Sequence, residues 1–303
     1  MALFLQQLAN GLTIGAIYAL IALGYTMVYG VIQLINFAHG EVFIVGAYVT
    51  LTVLSLLGLR HPLGGAPLAM AVTACVVCAM AGCSLLGLGM ERFAYRPVRH
   101  SSRLNALITA IGMSFVLQNA LMLFYGATDR RVPSIIPSVR WEIGGASVTL
   151  LQVVIWACSA LVMAGLQALV MSTTLGKAMR AAAQDPKACR LLGIPVDRVI
   201  AVTFIIGSSL AAVGGCLFGL YYNTVNFHDG YLTGLKAFTA AVLGGIGNLP
   251  GAMLGGLVLG LVEGLAAGYI SSQWKNVVAF VVLVALLMFK PTGLLGERVA
   301  DRA

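Results

Sequence analysis

Long apolar runs separated by short polar segments dominate the chain. A hydrocarbon core of about 30 Å takes roughly 20 apolar residues to cross as a helix. Eight charge-poor runs are close to or above that length, approximately residues 7–29, 35–59, 67–90, 104–126, 148–170, 199–222, 237–267 and 274–289. The pattern predicts an all-α polytopic membrane protein, with about eight transmembrane helices in a single transmembrane domain spanning residues 1–303.

The seventh run is too long for one straight span. It is interrupted by Gly-Gly-Ile-Gly-Asn-Leu-Pro-Gly at residues 244–251, and four glycines with a proline do not hold an uninterrupted helix. We therefore expect a discontinuous or re-entrant element there. A second polar interruption, Asn-Phe-Ala-His-Gly-Glu, occupies residues 36–41.

Interruptions in corresponding halves indicate an inverted repeat with its pathway at the repeat interface, although chance coincidence is an alternative. The two interrupted segments supply the candidate pathway residues, which are Asn36, Phe37, His39, Glu41, Gly244, Gly245 and Asn248.

Basic residues are concentrated in two connecting loops. The first loop holds Arg92, Arg96, Arg99 and Arg103, and the second holds Lys177, Arg180, Lys187, Arg190 and Arg198. Positive charge marks cytoplasmic loops, which places the N-terminus and residues 127–147 outside. The tail, with Lys290, Arg298 and Arg302, also reads as cytoplasmic. Eight single crossings would leave that tail on the wrong side, so the last third is predicted not to cross simply.

Composition supports a protein surrounded by lipid. Of 303 residues, 18 are Lys or Arg and 10 are Asp or Glu, while 60% are hydrophobic and the mean hydropathy is +0.96. A water-facing surface needs about 25% charged residues, so a soluble domain is excluded. The net charge of +8 is attributed to Lys and Arg in cytoplasmic loops, which orient the chain in the bilayer. No nucleic acid partner is expected. The 36 glycines indicate close helix packing, especially the four-residue ladder through Gly256, Gly260, Gly264 and Gly268.

The second basic loop, residues about 172–198, has the pattern of two short helices. Residues 177–184 are good helix formers, Asp185 suits an N-cap before Pro186, and Gly193 suits the position after a second helix. A short amphipathic helix of this kind is suited to another protein's groove. The alternative is a solvated linker that only follows the positive-inside rule.

The sequence motifs do not indicate that this chain hydrolyses ATP or catalyses a reaction itself. Gly176-Lys177 is followed by Ala178 and lacks the rest of a phosphate-binding loop, so ATP-driven work would need a separate subunit. No catalytic, cofactor or metal site is expected. Cys75 and Cys78 form an isolated C-x-x-C inside an apolar run and are read as buried small residues.

Ionisable groups within apolar runs remain functional candidates. His39, Glu41 and Glu263 could belong to a polar pathway or a proton relay. The alternatives are an interfacial position or a role in satisfying the backbone of a broken helix.

Four segments together resemble one known family. They are residues 34–41 (Leu-Ile-Asn-Phe-Ala-His-Gly-Glu), residues 180–185 (Arg-Ala-Ala-Ala-Gln-Asp), Leu-Gly-Ile at 192–194 with Asp-Arg at 197–198, and residues 236–252 around the glycine-rich break. The combination is similar to the LivH-type permeases of branched-chain amino-acid ABC importers, and the resemblance extends over nearly the whole chain.

The resemblance implies a multi-pass protein of the bacterial inner membrane with several partners. These are a second homologous permease subunit, two cytoplasmic ABC ATPase subunits and a periplasmic substrate-binding protein. It also implies that the loop of residues 172–198 contacts the ATPases, and it assigns that role to Arg180, Ala182, Asp185 and Gly193. A urea or amide permease of the same superfamily and an ion-coupled secondary amino-acid transporter remain alternatives, and a membrane enzyme is a more distant one.

Overall fold

The computed structural model describes residues 1–99 and 101–296, and it is built almost entirely of helices. The first part of the bundle consists of α1 (Ala2–Ile32), α2 (His39–Leu56), α3 (Gly65–Gly89) with a π-helical continuation (Met90–Tyr95), α4 (Arg96–Val98) and α5 (Arg103–Tyr125). The second part consists of α6 (Leu150–Ser172), α7 (Thr174–Gln184), α8 (Pro186–Leu191), α9 (Val196–Tyr222), α10 (Asp229–Gly244), α11 (Leu249–Tyr269) and α12 (Lys275–Phe289). Two small antiparallel pairs, β1 (Arg130–Arg131) with β4 (Thr224–Val225) and β2 (Arg140–Ile143) with β3 (Ala146–Thr149), complete the fold.

The expectation of an all-α polytopic membrane protein is confirmed. Within the described residues, seven helices are long and apolar enough to cross a membrane, and α12 is a shorter apolar helix. The least exposed of these helices is α1, which is surrounded by α9, α10 and α11. Tail residues Arg298 and Arg302, expected on the cytoplasmic side, lie outside the described part of the chain.

The two basic loops lie together at one end of the bundle, here called the basic end. Arg99 of the first loop donates to the carboxylate of Asp197 in the second at 2.5 Å. The N-terminus lies at the opposite end, where the Ser147 amide donates to Gln6 Oε1 at 2.7 Å. Segments expected on one side of the membrane are therefore neighbours, as the charge pattern indicated.

The seventh apolar run is two helices that form an antiparallel hairpin. The helix α10 ends at Gly244, the chain turns through residues 245–248, and α11 returns alongside it. Close backbone contact holds the pair, since a Cβ on Gly255 would lie 2.7 Å from the amide nitrogen of Gly244. The predicted break is thus confirmed, and it separates two passes rather than bending one.

This hairpin explains how the C-terminal tail reaches the same side as the basic loops. The helix α12 follows α11 and returns to the basic end, where the Leu294 amide donates to the carbonyl of Leu243 at the end of α10 (2.8 Å). Counting α10, α11 and α12 separately, the described chain makes nine passes between the ends. An odd number puts Lys290 at the basic end, as its charge predicted, and the N-terminus at the other end, as the count of spans from the first basic loop predicted.

Two segments interrupt the helices in the same way. Both α1 and α9 end on a residue in the left-handed conformation, Gln33 (φ 53°) and Asn223 (φ 55°). Three residues later come Asn-Phe-Ala-His-Gly-Glu at 36–41 and Asn-Phe-His-Asp-Gly-Tyr at 226–231. In each, the amide of the fourth residue donates to the carbonyl of the asparagine, at 3.0 and 3.1 Å, and a helix begins.

The counterpart of residues 36–41 is therefore residues 226–231. The pattern of interruptions in the sequence pairs the first segment with residues 244–251, and the structure corrects that pairing. After the interruptions α3 packs along α9, whereas α11 packs along α1. The two halves run in opposite directions, which is the arrangement of an inverted repeat.

Both interrupted helices begin inside the bundle. The imidazole of His39, the first residue of α2, lies beside Gly24 of α1, and Gly24 in turn contacts Gly207 of α9. Gly207 is eleven residues into α9, which at 1.5 Å per residue is about 16 Å from the basic end. The start of α10 lies at the same level, because Gly230 contacts Gly40 and Ile44 of α2.

The glycine ladder forms a helix interface, as expected. A Cβ on Gly11 of α1 would lie 2.8 Å from the carbonyl oxygen of Gly260, and one on Gly264 would lie 2.7 Å from the Cα of Gly11. Gly256 and Gly268 contact α1 on either side of this position. Small residues let the two backbones pack directly against each other. Van der Waals contact stabilises this packing, because the hydrophobic effect does not drive helices together in lipid.

Candidate functional site

The loop of residues 172–198 folds into two short helices, as its sequence predicted. Thr173 caps α7 by accepting from the Gly176 amide at 3.1 Å. Asp185 ends α7 and caps α8, accepting from the amides of Lys187 (2.8 Å) and Ala188 (3.0 Å). Gly193 then adopts φ +79° just past the end of α8, the left-handed position that glycine fills without strain.

The four residues assigned to ATPase contact occupy different environments. Ala182 is 1% exposed and lies in the hydrophobic core, so it can only support α7 from within. Arg180 is exposed, and its guanidinium donates to the carbonyl oxygen of Val170 at the end of α6. Asp185 and Gly193 shape the loop through capping and backbone conformation, and both are exposed.

Exposed apolar side chains in this loop were missed by sequence reasoning. Leu191 and Leu192, at the end of α8, are 90% and 79% exposed. They follow the buried Cys189 and precede Gly193, beside basic Arg190. A leucine pair in a polar, basic loop is a detectable signal, because solvent-facing loops rarely expose adjacent large apolar side chains without a partner.

The first group of candidate pathway residues lies deep in the bundle. Asn36 Oδ1 accepts from the Tyr95 hydroxyl at 2.6 Å, and His39 packs edge-on against Tyr25 with ring centroids 4.8 Å apart. Phe37 lies 5.7 Å, centroid to centroid, from Phe238 of α10. These three side chains hold the interrupted segment against neighbouring helices.

Glu41 lies where the two half-helices meet. Its Oε1 accepts from the Ser114 hydroxyl of α5 at 3.2 Å, and its Oε2 has no hydrogen-bond partner among the described residues. That second oxygen lies over Gly230, in the first turn of α10. A carboxylate near a helix N-terminus is stabilised by the helix dipole, so α10 partly compensates the buried Glu41.

The second group lies elsewhere, at the basic end. Asn248 caps α11 by accepting from the Gly251 amide at 3.0 Å, and its Nδ2 donates to the carbonyl of Leu295 at 2.8 Å. Gly244 and Gly245 contact α11 and the segment after α12. The structure therefore brings Asn36, Phe37, His39 and Glu41 together and leaves Gly244, Gly245 and Asn248 as a separate cluster.

A buried ion pair was only half anticipated by the sequence. Glu263 of α11 accepts from Lys236 of α10 at 2.8 Å and from the Tyr18 hydroxyl of α1 at 2.9 Å. Lys275, the first residue of α12, lies 3.5 Å from Glu263 Oε1, the oxygen that accepts from Lys236. The sequence singled out Glu263, but its partner could not be found by spacing because Lys236 is 27 residues away.

Among the described residues, no group of three or more His, Cys, Asp or Glu side chains is placed to hold a metal ion. The polar clusters instead fasten helices to one another.

Comparison with known proteins identifies a family and several relatives. The sequence model of the family described as "Branched-chain amino acid transport system / permease component" matches residues 7–287. The high-affinity branched-chain amino acid transport system permease protein LivH of Escherichia coli K12 is 49% identical over 299 residues, covering 97% of this chain and 96% of that protein. The BraD permease of Pseudomonas aeruginosa is 47% identical with the same coverage. A solved chain described as PsaBC from Streptococcus pneumoniae aligns over 95% of this chain with a TM-score of 0.49 and 12% identity.

The match spans both halves of the inverted repeat, the loop of residues 172–198 and the glycine ladder, so it covers nearly the whole bundle and not one shared motif. The chain belongs to the family of branched-chain amino acid transport system permease components.

Proposed function

We propose that this chain is the permease subunit of an ATP-binding-cassette importer in a bacterial inner membrane. It forms part of the translocation pathway for branched-chain amino acids and is energised by separate ATPase subunits. The names of its LivH and BraD relatives support the substrate class. The observation that carries the energy-coupling part is the exposed Leu191-Leu192 pair on a capped helix at the basic end.

The proposed domain is one transmembrane permease unit spanning residues 1–303, with the coupling loop at residues 172–198. Leu191 and Leu192 enter an apolar groove on the ATPase, and exposed Arg180 and Asp185 lie next to it. Gly193 fixes the direction in which the chain leaves α8. This assignment is supported by the exposure of the leucines and the rigid double cap at Asp185.

Closure of the ATPase pair then moves α7 and α8 as a unit. Buried Met179 and Ala182 transmit that movement to the bundle core. The interrupted segments at 36–41 and 226–231 are the proposed hinges, because each combines a left-handed residue with a short turn. Asn36, Phe37, His39 and Glu41 are proposed to border the pathway at these hinges, with Gly244, Gly245 and Asn248 at its basic-end exit.

Three kinds of partner complete the proposed importer. A second homologous permease pairs with this chain, two ATPases bind the coupling loops, and a periplasmic binding protein delivers substrate to the end that carries residues 127–147. The β-strand pairs at that end give the binding protein an ordered surface.

The proposal is tested by uptake of radiolabelled leucine, isoleucine and urea. Cells lacking their own branched-chain importers are given this chain with its companion subunits. We expect leucine and isoleucine uptake that disappears when the phosphate-binding lysine of the companion ATPase is replaced by alanine. Uptake of urea instead, or leucine transport by the purified chain alone under a proton gradient, would contradict it.

A further inference from the structure

A pair of polar side chains lies on the outer surface of the bundle at membrane depth. Gln118 Nε2 of α5 donates to Nδ1 of His228, the residue before α10, at 2.8 Å. Ser114 is the middle residue of α5, and Gln118 follows it by one turn, or about 6 Å along the helix axis. Since the hydrocarbon layer extends about 15 Å to either side of its centre, the pair lies inside that layer.

The side chains at this position are open to whatever surrounds the chain. His228 is exposed and Gln118 is half-buried. An imidazole that accepts at Nδ1 carries its proton on Nε2, and this N–H has no acceptor among the described residues. Asn119, the next residue of α5, is also exposed, and Asp229, the first residue of α10, is half-buried. Polar groups, two of them ionisable, are therefore grouped on one outer face within the membrane.

Lipid does not satisfy such groups. The hydrocarbon layer contains no hydrogen-bond partner, and ionisable side chains at that depth face protein or a water-filled cavity. The middle of α6 shows a surface of this chain that lipid can cover, because its exposed residues Ala157, Leu161, Ala164 and Gly165 are all small or apolar. The face around His228 needs a cover of a different kind.

Large apolar side chains surround the polar pair. Phe115, one turn before Gln118, is 58% exposed, and Tyr231 and Leu232, one turn after His228, are 63% and 45% exposed. In lipid, helices associate through close packing and through hydrogen bonds between polar side chains. The surface formed by these residues is here called the α5–α10 face, and its members are Phe115, Gln118, Asn119, His228, Tyr231 and Leu232.

We infer that the α5–α10 face is the surface on which the second permease subunit packs. The inference rests on the proposed function, which requires such a subunit. Both permeases present coupling loops to ATPases at the basic end, so the two chains are parallel. Related parallel chains pair about an axis along the membrane normal, and the same face of each then meets the other. The second subunit supplies polar partners to Gln118 and His228 and shields them from lipid.

This contact lies over the junction of the two interrupted helices. Ser114 of α5 donates to Glu41 of α2 at 3.2 Å, and Gly230 of α10 contacts Gly40 of α2. Both helices that form the α5–α10 face therefore reach the junction. A shift of α2 against α10 changes the face that the second subunit contacts, which links the movements of the two permeases.

Site-specific photo-crosslinking in the assembled importer maps the surface. The photoreactive amino acid p-benzoylphenylalanine replaces Phe115 or Leu232, or Leu161 of α6 as the control, and the second permease carries an epitope tag. We expect crosslinks to the tagged subunit from positions 115 and 232. Position 161 should give none, although Leu161 is 75% exposed. Crosslinks from positions 115 and 232 only to lipid or to another copy of this chain would overturn the inference.

Recovery of the second permease with the affinity-tagged chain tests the contact itself. Leu232→Trp should lower recovery about tenfold or more, because overpacking at an interface costs about 1–3 kcal/mol. Leu161→Trp is the matched control and should leave recovery unchanged. Both leucines are exposed in this chain, so neither variant should alter the apparent Tm of the isolated chain. Equal recovery with the two variants would contradict the assignment.

His228→Phe tests the polar part of the face. It keeps an aromatic ring and removes both ring nitrogens, so recovery of the second permease should fall about threefold to tenfold, the range for one hydrogen bond. A histidine that faced lipid would predict unchanged recovery, and that result would remove the polar contact.

The outcomes separate this inference from the proposed function. Leucine uptake by the unmodified importer, with the tagged subunit crosslinked from position 161 and not from 115 or 232, would overturn the surface alone. Crosslinks from positions 115 and 232 without leucine uptake would leave the surface in place and remove the proposed transport function.

Discussion

Gly40 and Gly230 touch at the point where α2 and α10 begin: a Cβ on Gly230 would lie 2.9 Å from the carbonyl oxygen of Gly40. The two glycines occupy equivalent places in the inverted repeat, in Asn-Phe-Ala-His-Gly and Asn-Phe-His-Asp-Gly. Their contact brings two helix N-termini together inside the bundle. The buried Glu41 carboxylate beside them offsets part of the positive end of α10.

Replacing Gly230 by alanine should destabilise this junction. The new methyl group would meet Gly40, Glu41 and Ile44 together, and overpacking of this kind costs about 1–3 kcal/mol. The measurement is the apparent Tm of the purified chain in detergent. Gly165→Ala in α6 is the control, because its Cβ would meet nothing within 4 Å. If the two variants had the same apparent Tm, the close contact at Gly230 would not be essential for stability.

Breaking the buried ion pair should have unequal effects. Glu263→Gln leaves Lys236 buried without its counter-ion, and loss of one partner in a buried pair costs about 3–5 kcal/mol. Lys236→Met should cost less, because Glu263 keeps the Tyr18 hydroxyl and Lys275. Thermal unfolding of both variants beside exposed Glu142→Gln checks the order. A larger loss for Lys236→Met would show that Lys275 does not compensate.

Exposed leucines in the coupling loop should matter for transport and not for folding. Leu191→Asp with Leu192→Asp removes apolar surface that is already solvent-exposed, so the free energy of unfolding of the isolated chain should change by less than about 0.5 kcal/mol. Leucine uptake by the assembled importer should be lost. Leu191→Met is the matched variant and should retain uptake. Full uptake by the double aspartate variant would remove the docking assignment.

Gly193→Val tests whether the direction of the chain after α8 is required. A β-branched residue at φ +79° is strained by roughly 1–2 kcal/mol, and the strain lies in an exposed loop. We expect normal membrane insertion, shown by extraction and size-exclusion profiles, with reduced leucine uptake. Arg180→Glu should have the same pattern. Variants that insert and transport normally would contradict both roles.

The nine-pass topology can be checked by labelling. In a cysteine-free background, single cysteines replace Lys187, Lys290 and Arg140, which are all exposed. A membrane-impermeant maleimide applied to intact spheroplasts should label position 140 only. After permeabilisation, positions 187 and 290 should label as well. Labelling of position 290 from outside would restore an even number of passes.

The sequence by itself determined the environment and much of the local structure. Low charge and long apolar runs define a membrane bundle, and the basic loops define its ends, because lipid penalises charge regardless of which helices are neighbours. The caps at Asp185 and Gly193 and the break after Gly244 were also readable. Each depends on backbone chemistry within a few residues.

Only the tertiary structure decided how distant segments combine. Lys236 meets Glu263, and residues 36–41 find their counterpart in residues 226–231, through contacts between helices far apart in sequence. In uniformly apolar spans no hydrophobic periodicity shows which face meets which neighbour. The seventh run forms two passes because Gly244 and Gly251 lie in contact and close a hairpin between α10 and α11.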